Sequence, residues 1–152
     1  MTLLLYPGAG SDSTHSSLTA IERWVAPHPC VRADFPYRKE GRRAPDRAPK
    51  LLAAIREELE QIDPDRPLVM GGRSMGGRMC SMVAAGSDDL PAPKNLKGLV
   101  LVSYPLHPPG KPDRLRVDHL PEIAVPTLFI SGTRDAFGTP DEFTEWTATM
   151  QK

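Results

Sequence analysis

The chain has 152 residues, enough for one domain with a real core and little else. Lysine plus arginine balance aspartate plus glutamate at 19 each, so no whole-protein field points to nucleic acid or to an acidic membrane surface. No run approaches the ~18 apolar residues of a membrane span, and Cys30 and Cys80, far apart beside apolar elements, suggest reduced core thiols in a cytoplasmic protein rather than a disulfide framework or a metal site.

The apolar run Leu3 to Tyr6 has neither the basic lead nor the cleavage site of a signal peptide, and reads as a buried parallel strand that enters the turn Pro7-Gly8-Ala9-Gly10. A helix follows from about Ser16 to Val25, with Leu18, Ile21, Trp24 and Val25 on one face and Pro27 as its stop. Cys30 to Phe35 is a second strand. It runs into Tyr37-Arg38-Lys39-Glu40-Gly41-Arg42-Arg43, a basic loop that is either solvated or, at a strand exit, able to receive an anionic group through Arg38, Lys39, Arg42 and Arg43. Asp46 to Asp63 has the clearest helical period, with Leu51, Ile55, Leu59 and Ile62 on one stripe. Leu99 to Val102 and Thr127 to Ile130 are further buried strands, joined through a segment around Leu115 to Leu120, and a last helix starts near Pro140 and runs toward Met150. Strands alternating with helices predict a three-layer α/β/α sandwich around a mostly parallel sheet of about five strands, with function at the strand exits.

The stretch from Leu68 to Gly77 organises these exits. A strand breaks at Gly71 and Gly72, turns through Ser74 and restarts as a helix at Met75, and Gly72, Ser74 and Gly76 spell Gly-x-Ser-x-Gly. A strand reversing this sharply strains the apex residue, and side chains two positions to either side would collide with it; glycine removes the collision. The hydroxyl of Ser74 is left free above the sheet, and the amide of Met75 points where a tetrahedral oxyanion would form. The plain alternative is a glycine-rich turn without chemistry. A phosphate-binding P-loop is disfavoured, since Gly71 to Gly77 has neither its lysine nor its spacing.

Taken together, the exits resemble those of the α/β-hydrolase fold. The segments Gly-Gly-Arg-Ser-Met-Gly-Gly-Arg-Met, Ser-Tyr-Pro-Leu-His-Pro-Pro-Gly-Lys-Pro and Ser-Gly-Thr-Arg-Asp-Ala-Phe-Gly-Thr are similar to a poorly characterised family of that fold, which includes bacterial dienelactone-hydrolase-like proteins and the animal testis-expressed protein 30 group. The resemblance covers nearly the whole chain. It implies a cofactor-free serine hydrolase of esterase or thioesterase type, with Ser74 as nucleophile, Asp135 as triad acid, and an oxyanion hole from Met75 with Ala9 or Gly10. Asp135 could equally cap the following helix. Tyr104, His107 and Arg73 fall on loops beside the site, and Arg73 and Arg78 flank the turn.

Two departures stand out. Pro7-Gly8 replaces the His-Gly that many hydrolases carry at the first exit, and no histidine occurs in the 17 residues after Asp135, where the fold places its base. The chain then reads as a C-terminally incomplete domain, lacking the last strand and helix, whose relatives carry the base further on. Of the four histidines, His107 is the candidate nearest the site, as a loop-fixing residue or a replacement base; His15 is a weaker one, and His28 and His119 read as surface residues. The expected partner is a small, open-site ester or thioester, with an acidic group suggested by the arginines, and no nucleic acid or membrane. An exposed sheet edge would invite a homodimer. The rival reading is a non-catalytic binding module that keeps the fold and uses the old site to hold a ligand.

Overall fold

The structure is a computed structural model and describes residues 1–150. Five strands, β1 (Thr2–Tyr6), β2 (Cys30–Arg32), β3 (Leu68–Arg73), β4 (Leu96–Val102) and β5 (Thr127–Ile130), form one sheet in the order β2-β1-β3-β4-β5. Every neighbouring pair is parallel. The helices are α1 (Ser16–Val25), α2 (Pro36–Lys39), α3 (Ala48–Leu59), α4 (Met75–Ala84) and α5 (Pro140–Thr147).

Period-two alternation in β1 sorts the layers. Leu4 and Tyr6 belong to a large cluster with Leu51, Leu52 and Ile55 of α3 and Met79, Cys80 and Val83 of α4. Leu3 and Leu5 are equally buried but lie outside that cluster, as does Leu18 of α1. The sheet centre is therefore covered on both faces, giving the three-layer α/β/α sandwich. Cover thins toward β5. Phe129 packs inward against Tyr104 and Phe143, with ring centroids 5.6 and 5.8 Å away, whereas Leu128 and Ile130 on the opposite face are 55 % and 44 % exposed.

Several expected boundaries move for local reasons. The second strand stops at Arg32, because the Asp34 carboxylate turns to accept hydrogen bonds from the Ser13 amide and hydroxyl at 2.7 and 2.8 Å. Pro36, with its preset φ, then opens a short helix where a loop was expected, so the basic run begins helical. Helix α3 is shorter than Asp46 to Asp63, and α5 ends at Thr147. Strand β4 starts earlier, at Leu96. Both cysteines are free, and Cys80 is fully buried against the Gly71 carbonyl.

The registers put Tyr6, Gly72, Leu101 and Phe129 on one line across the sheet, so the turns leaving β1, β3, β4 and β5 share an edge. At that edge the backbones touch. A Cβ on Gly72 would lie 2.0 Å from the Tyr6 carbonyl oxygen, and one on Gly76 would lie 2.4 Å from the same atom and 2.5 Å from that of Pro7. Backbone cannot move aside as a flexible side chain can. Gly76→Ala is expected to cost about 3 kcal/mol or more in urea unfolding, whereas Gly132→Ala, whose Cβ meets nothing within 4 Å, should stay within about 0.5 kcal/mol. Equal effects at the two positions would refute the close-approach account.

Candidate active site

Ser74 sits at the apex between β3 and α4 with φ 50° and ψ −118°, a left-handed conformation that costs a non-glycine residue on the order of 1–3 kcal/mol. Its amide still donates to the Val102 carbonyl at 2.8 Å, which holds the apex to the sheet. The same arrangement recurs one strand over, where Ser103 has φ 48° and donates to the Ile130 carbonyl. The Ser74 hydroxyl has no hydrogen-bond partner among the described residues and lines a cleft of about 260 Å³ with Ala9, Met75, Arg78, Met79, Pro105 and Arg116. A larger hollow of about 500 Å³ lies beyond the C-terminal end of α4. There Arg56 is already paired with Asp88 at 2.8 Å and bonded to the Leu90 and Pro91 carbonyls, so the hollow offers no unspent chemistry of that kind.

The turn after β1 is seated against the serine: a Cβ on Gly8 would lie 3.5 Å from the Ser74 Cβ and 3.4 Å from Arg73 Nη1. The amides of Ala9, Gly10 and Met75 make no hydrogen bond among the described residues. Met75 is the first residue of α4, where the helix offers no carbonyl to its N–H. Tyr37, fully buried, donates from its hydroxyl to the Ala9 carbonyl at 2.8 Å and pins that turn. The sequence showed Tyr37 only as the residue opening a basic run. Its stacking partner Phe35, itself 4.5 Å from the Tyr6 ring, carries the pinning back into the core.

Asp135 stands in the turn after β5. Its Oδ1 accepts from the Phe137 amide at 3.0 Å, and Oδ2 has no partner among the described residues. It does not cap α5, because Thr139 does so in a reciprocal capping box with Glu142. His107 is 6 % exposed and both ring nitrogens are engaged: Nδ1 donates to the Pro108 carbonyl at 2.8 Å, and Nε2 lies 3.1 Å from Glu142 Oε1. The ring fastens the proline-rich loop to α5. His15 caps α1 through Nδ1, and His28 is exposed. Tyr104 is a core residue whose hydroxyl donates to the Arg116 carbonyl at 2.9 Å.

His119, expected at the surface, is instead half-buried. The loop that carries it folds back over α4, so that Nε2 lies 2.7 Å from Ser81 Oγ. Ser81 donates its own hydrogen to the Arg78 carbonyl at 2.7 Å, which leaves its oxygen to accept from His119. This serine–histidine pair resembles half a triad, yet Ser81 is wholly buried and the pair is structural. Burial first, then the nearby Arg78 charge, pushes the His119 pKa down to about 4. The basic run is largely self-neutralised: Arg42 pairs with Glu40 and Asp46, Arg38 lies 3.8 Å from Asp12, and Lys39 and Arg43 are exposed. Asp46 and Arg116, neither singled out by the sequence, are instead the charged residues that join Arg78 in lining the cleft. Arg116 lies in a connecting segment without periodicity, and Asp46 was read only as the start of a core-packing helix.

An all-parallel sheet with a strained serine between a central strand and the helix that follows defines the class of α/β hydrolases. The chain belongs to the family described as "Alpha/beta hydrolase domain", whose model matches residues 1–152. Among solved structures it is similar to Est1E from Butyrivibrio proteoclasticus, with TM-score 0.73 and 14% identity over 99% of this chain and 74% of that one. It is similar also to the type II thioesterase BorB from the borrelidin biosynthetic cluster, with TM-score 0.68 and 14% identity over 99% of this chain and 80% of that one. AbyA5 matches with TM-score 0.65 and 15% identity over 99% of this chain, which spans only 51% of AbyA5. At such identities the likeness concerns the fold. Among the described residues no group of three side chains is placed to hold a metal ion, and no helix is long and apolar enough to cross a membrane.

The depressed pKa of His119 fixes the sign of a pH effect. Between its folded value near 4 and its ordinary value of 6.5 the unfolded chain binds the proton and the folded chain does not. This contribution is complete above pH 6.5, falls as the pH drops toward 4, and amounts to on the order of 3 kcal/mol. Urea midpoints of wild type and His119→Asn at pH 7.5 and 4.5 should show the smaller acid loss in the variant; identical losses would rule the effect out.

Proposed function

We propose that the chain is a serine hydrolase of the esterase or thioesterase type, acting by acyl transfer through Ser74. One observation carries the reading: a strained serine with an unengaged hydroxyl faces a cleft beside the unspent amides of Met75 and Ala9. Strain of this kind persists only where the surroundings impose it, and it lifts the hydroxyl clear of the sheet. Ser74 Oγ would attack the ester carbonyl, and the amides of Met75 and Ala9, with Gly10 at the outer wall, would hold the oxyanion of the tetrahedral intermediate. The esterase and thioesterase among the structural neighbours support the same class.

The attack needs a proton acceptor. Among the described residues no histidine hydrogen-bonds Ser74, and His15, His107 and His119 are all engaged elsewhere. The hydrolase reading requires a histidine brought to Ser74 from outside the described residues, and Oδ2 of Asp135, unpartnered among them, would orient it. The same absence of a base favours one other reading, a binding module that retains the cleft without turnover.

A fluorophosphonate probe and a short activated ester distinguish the two. Residues 1–152 should label and turn over slowly, on the order of 10⁴–10⁶ below a complete triad. A longer form that supplies such a histidine should recover that rate, and Ser74→Ala should abolish both activities. Folded protein of either length that never labels, or labelling that survives Ser74→Ala, would overturn the hydrolase reading.

A further inference from the structure

The cleft at Ser74 is electrostatically unbalanced. Arg78, one helical turn along α4 from the serine, is more than half-buried, and its Nε is enclosed with no hydrogen-bond partner. It makes no ion pair among the described residues, and neither does Arg116 across the cleft. Burial lowers the Arg78 pKa, the Tyr104 hydroxyl raises it, and the charge of Arg116 lowers it further, so the two guanidinium groups repel each other. Asp46, the carboxylate that also lines the cleft, is already held by Arg42 at 3.1 Å and by Lys50 at 3.4 Å. The backbone of Arg116 is anchored at both ends of the residue, its amide to the Leu106 carbonyl at 2.7 Å and its carbonyl to the Tyr104 hydroxyl. Two guanidinium groups thus line a space in which neither has an ionic partner among the described residues. A buried charge without a counter-charge is costly, and an anionic ligand placed between them would remove that cost.

We propose that Arg78 and Arg116 form a recognition site for an acidic group, a carboxylate or a phosphate, on the small molecule whose ester linkage lies at Ser74. The planar fork of a guanidinium suits both groups. The rise of one helical turn, about 6 Å from Ser74 to Arg78, sets the acidic group a few bonds from the ester carbonyl. Half-esters of short dicarboxylic acids and small phosphorylated esters have that spacing; long neutral acyl chains do not satisfy the arginines. As a statement about substrate this rests on the hydrolase reading of Ser74. As a statement about binding it does not.

Calorimetric titration of residues 1–152 with monomethyl succinate, with methyl phosphate and with neutral dimethyl succinate tests it. The site predicts binding of at least one of the two anions, at least tenfold tighter than the neutral diester and weakened by salt. Ser74→Ala should leave that affinity unchanged, so a failure of catalysis and a failure of this site remain distinguishable. Arg116→Gln and Arg78→Met should each weaken anion binding by tenfold or more. Arg78→Met should also leave the thermal midpoint unchanged or raise it, since it removes an uncompensated charge while keeping the apolar stem, an outcome that a purely structural arginine would not give. Preference for methyl phosphate assigns a phosphate and preference for monomethyl succinate a carboxylate. Equal binding of anion and neutral diester, no measurable anion binding, or full affinity in folded Arg116→Gln would overturn the proposal.

Discussion

The contact of backbone with backbone where β3 leaves the sheet is the constraint on which the rest of this molecule depends. Gly72 and Gly76 meet the carbonyl of Tyr6, Gly71 meets that of Val100, and a Cβ at any of the three would lie under 2.5 Å from an oxygen. With no side chains to separate them, β1, β3, β4 and the start of α4 close to distances that ordinary residues forbid. Ser74 is lifted out of the plane by this closure. The turn after β1 is brought against it by the same closure, so the serine and the two free amides beside it arise from a single packing event.

Charge divides the molecule differently. Over most of the surface, cations and carboxylates settle locally: Arg42 with Glu40 and Asp46, Arg56 with Asp88, Arg32 with Glu22. At the cleft this pattern stops. Arg78 is held through its backbone alone, its amide donating to the Ser74 carbonyl and its carbonyl accepting from Ser81, which His119 holds in turn. His119, kept neutral by burial, adds no third positive charge to the pair. Stability is thus obtained outside the cleft, and inside it polar groups stand unspent, an imbalance common at sites that bind.

Much of the fold was legible because its cues are local. Leu3 to Tyr6 and Thr127 to Ile130 became β1 and β5, and α1 spans Ser16 to Val25 ahead of Pro27, although Trp24, expected on one face with Leu18, is 82 % exposed. The turn at Ser74 was legible because glycine spacing encodes a close approach directly, although β3 runs through Gly71 and Gly72 to Arg73 instead of breaking at the glycines. Asp34 shows the limit: its residue type suited a strand end, but its pull toward Ser13, 21 residues away, decided where β2 stops. His119 and Arg116 were misread or missed for the same cause. They lie in a proline-punctuated segment without periodicity, whose path over α4 is set by bonds from Arg116 to Leu106 and Tyr104 and from His119 to Ser81. The charges around Arg42 were visible as a run, but not that Glu40 and Asp46 would consume that arginine.

The strand order carries a consequence for how the chain comes together. Once β3 has docked beside β1, β4 is added to the outer side of β3 and β5 to the outer side of β4, in the order in which they are synthesised. No pair already formed has to open to admit a later strand. The glycine-lined seam between β1 and β3 closes by residue 73, before the segments that bring Arg116, His119 and Asp135. A chain emerging from its N-terminus can therefore set the serine against its amides first and add the charged wall of the cleft afterwards, an order of assembly in which geometry precedes selectivity.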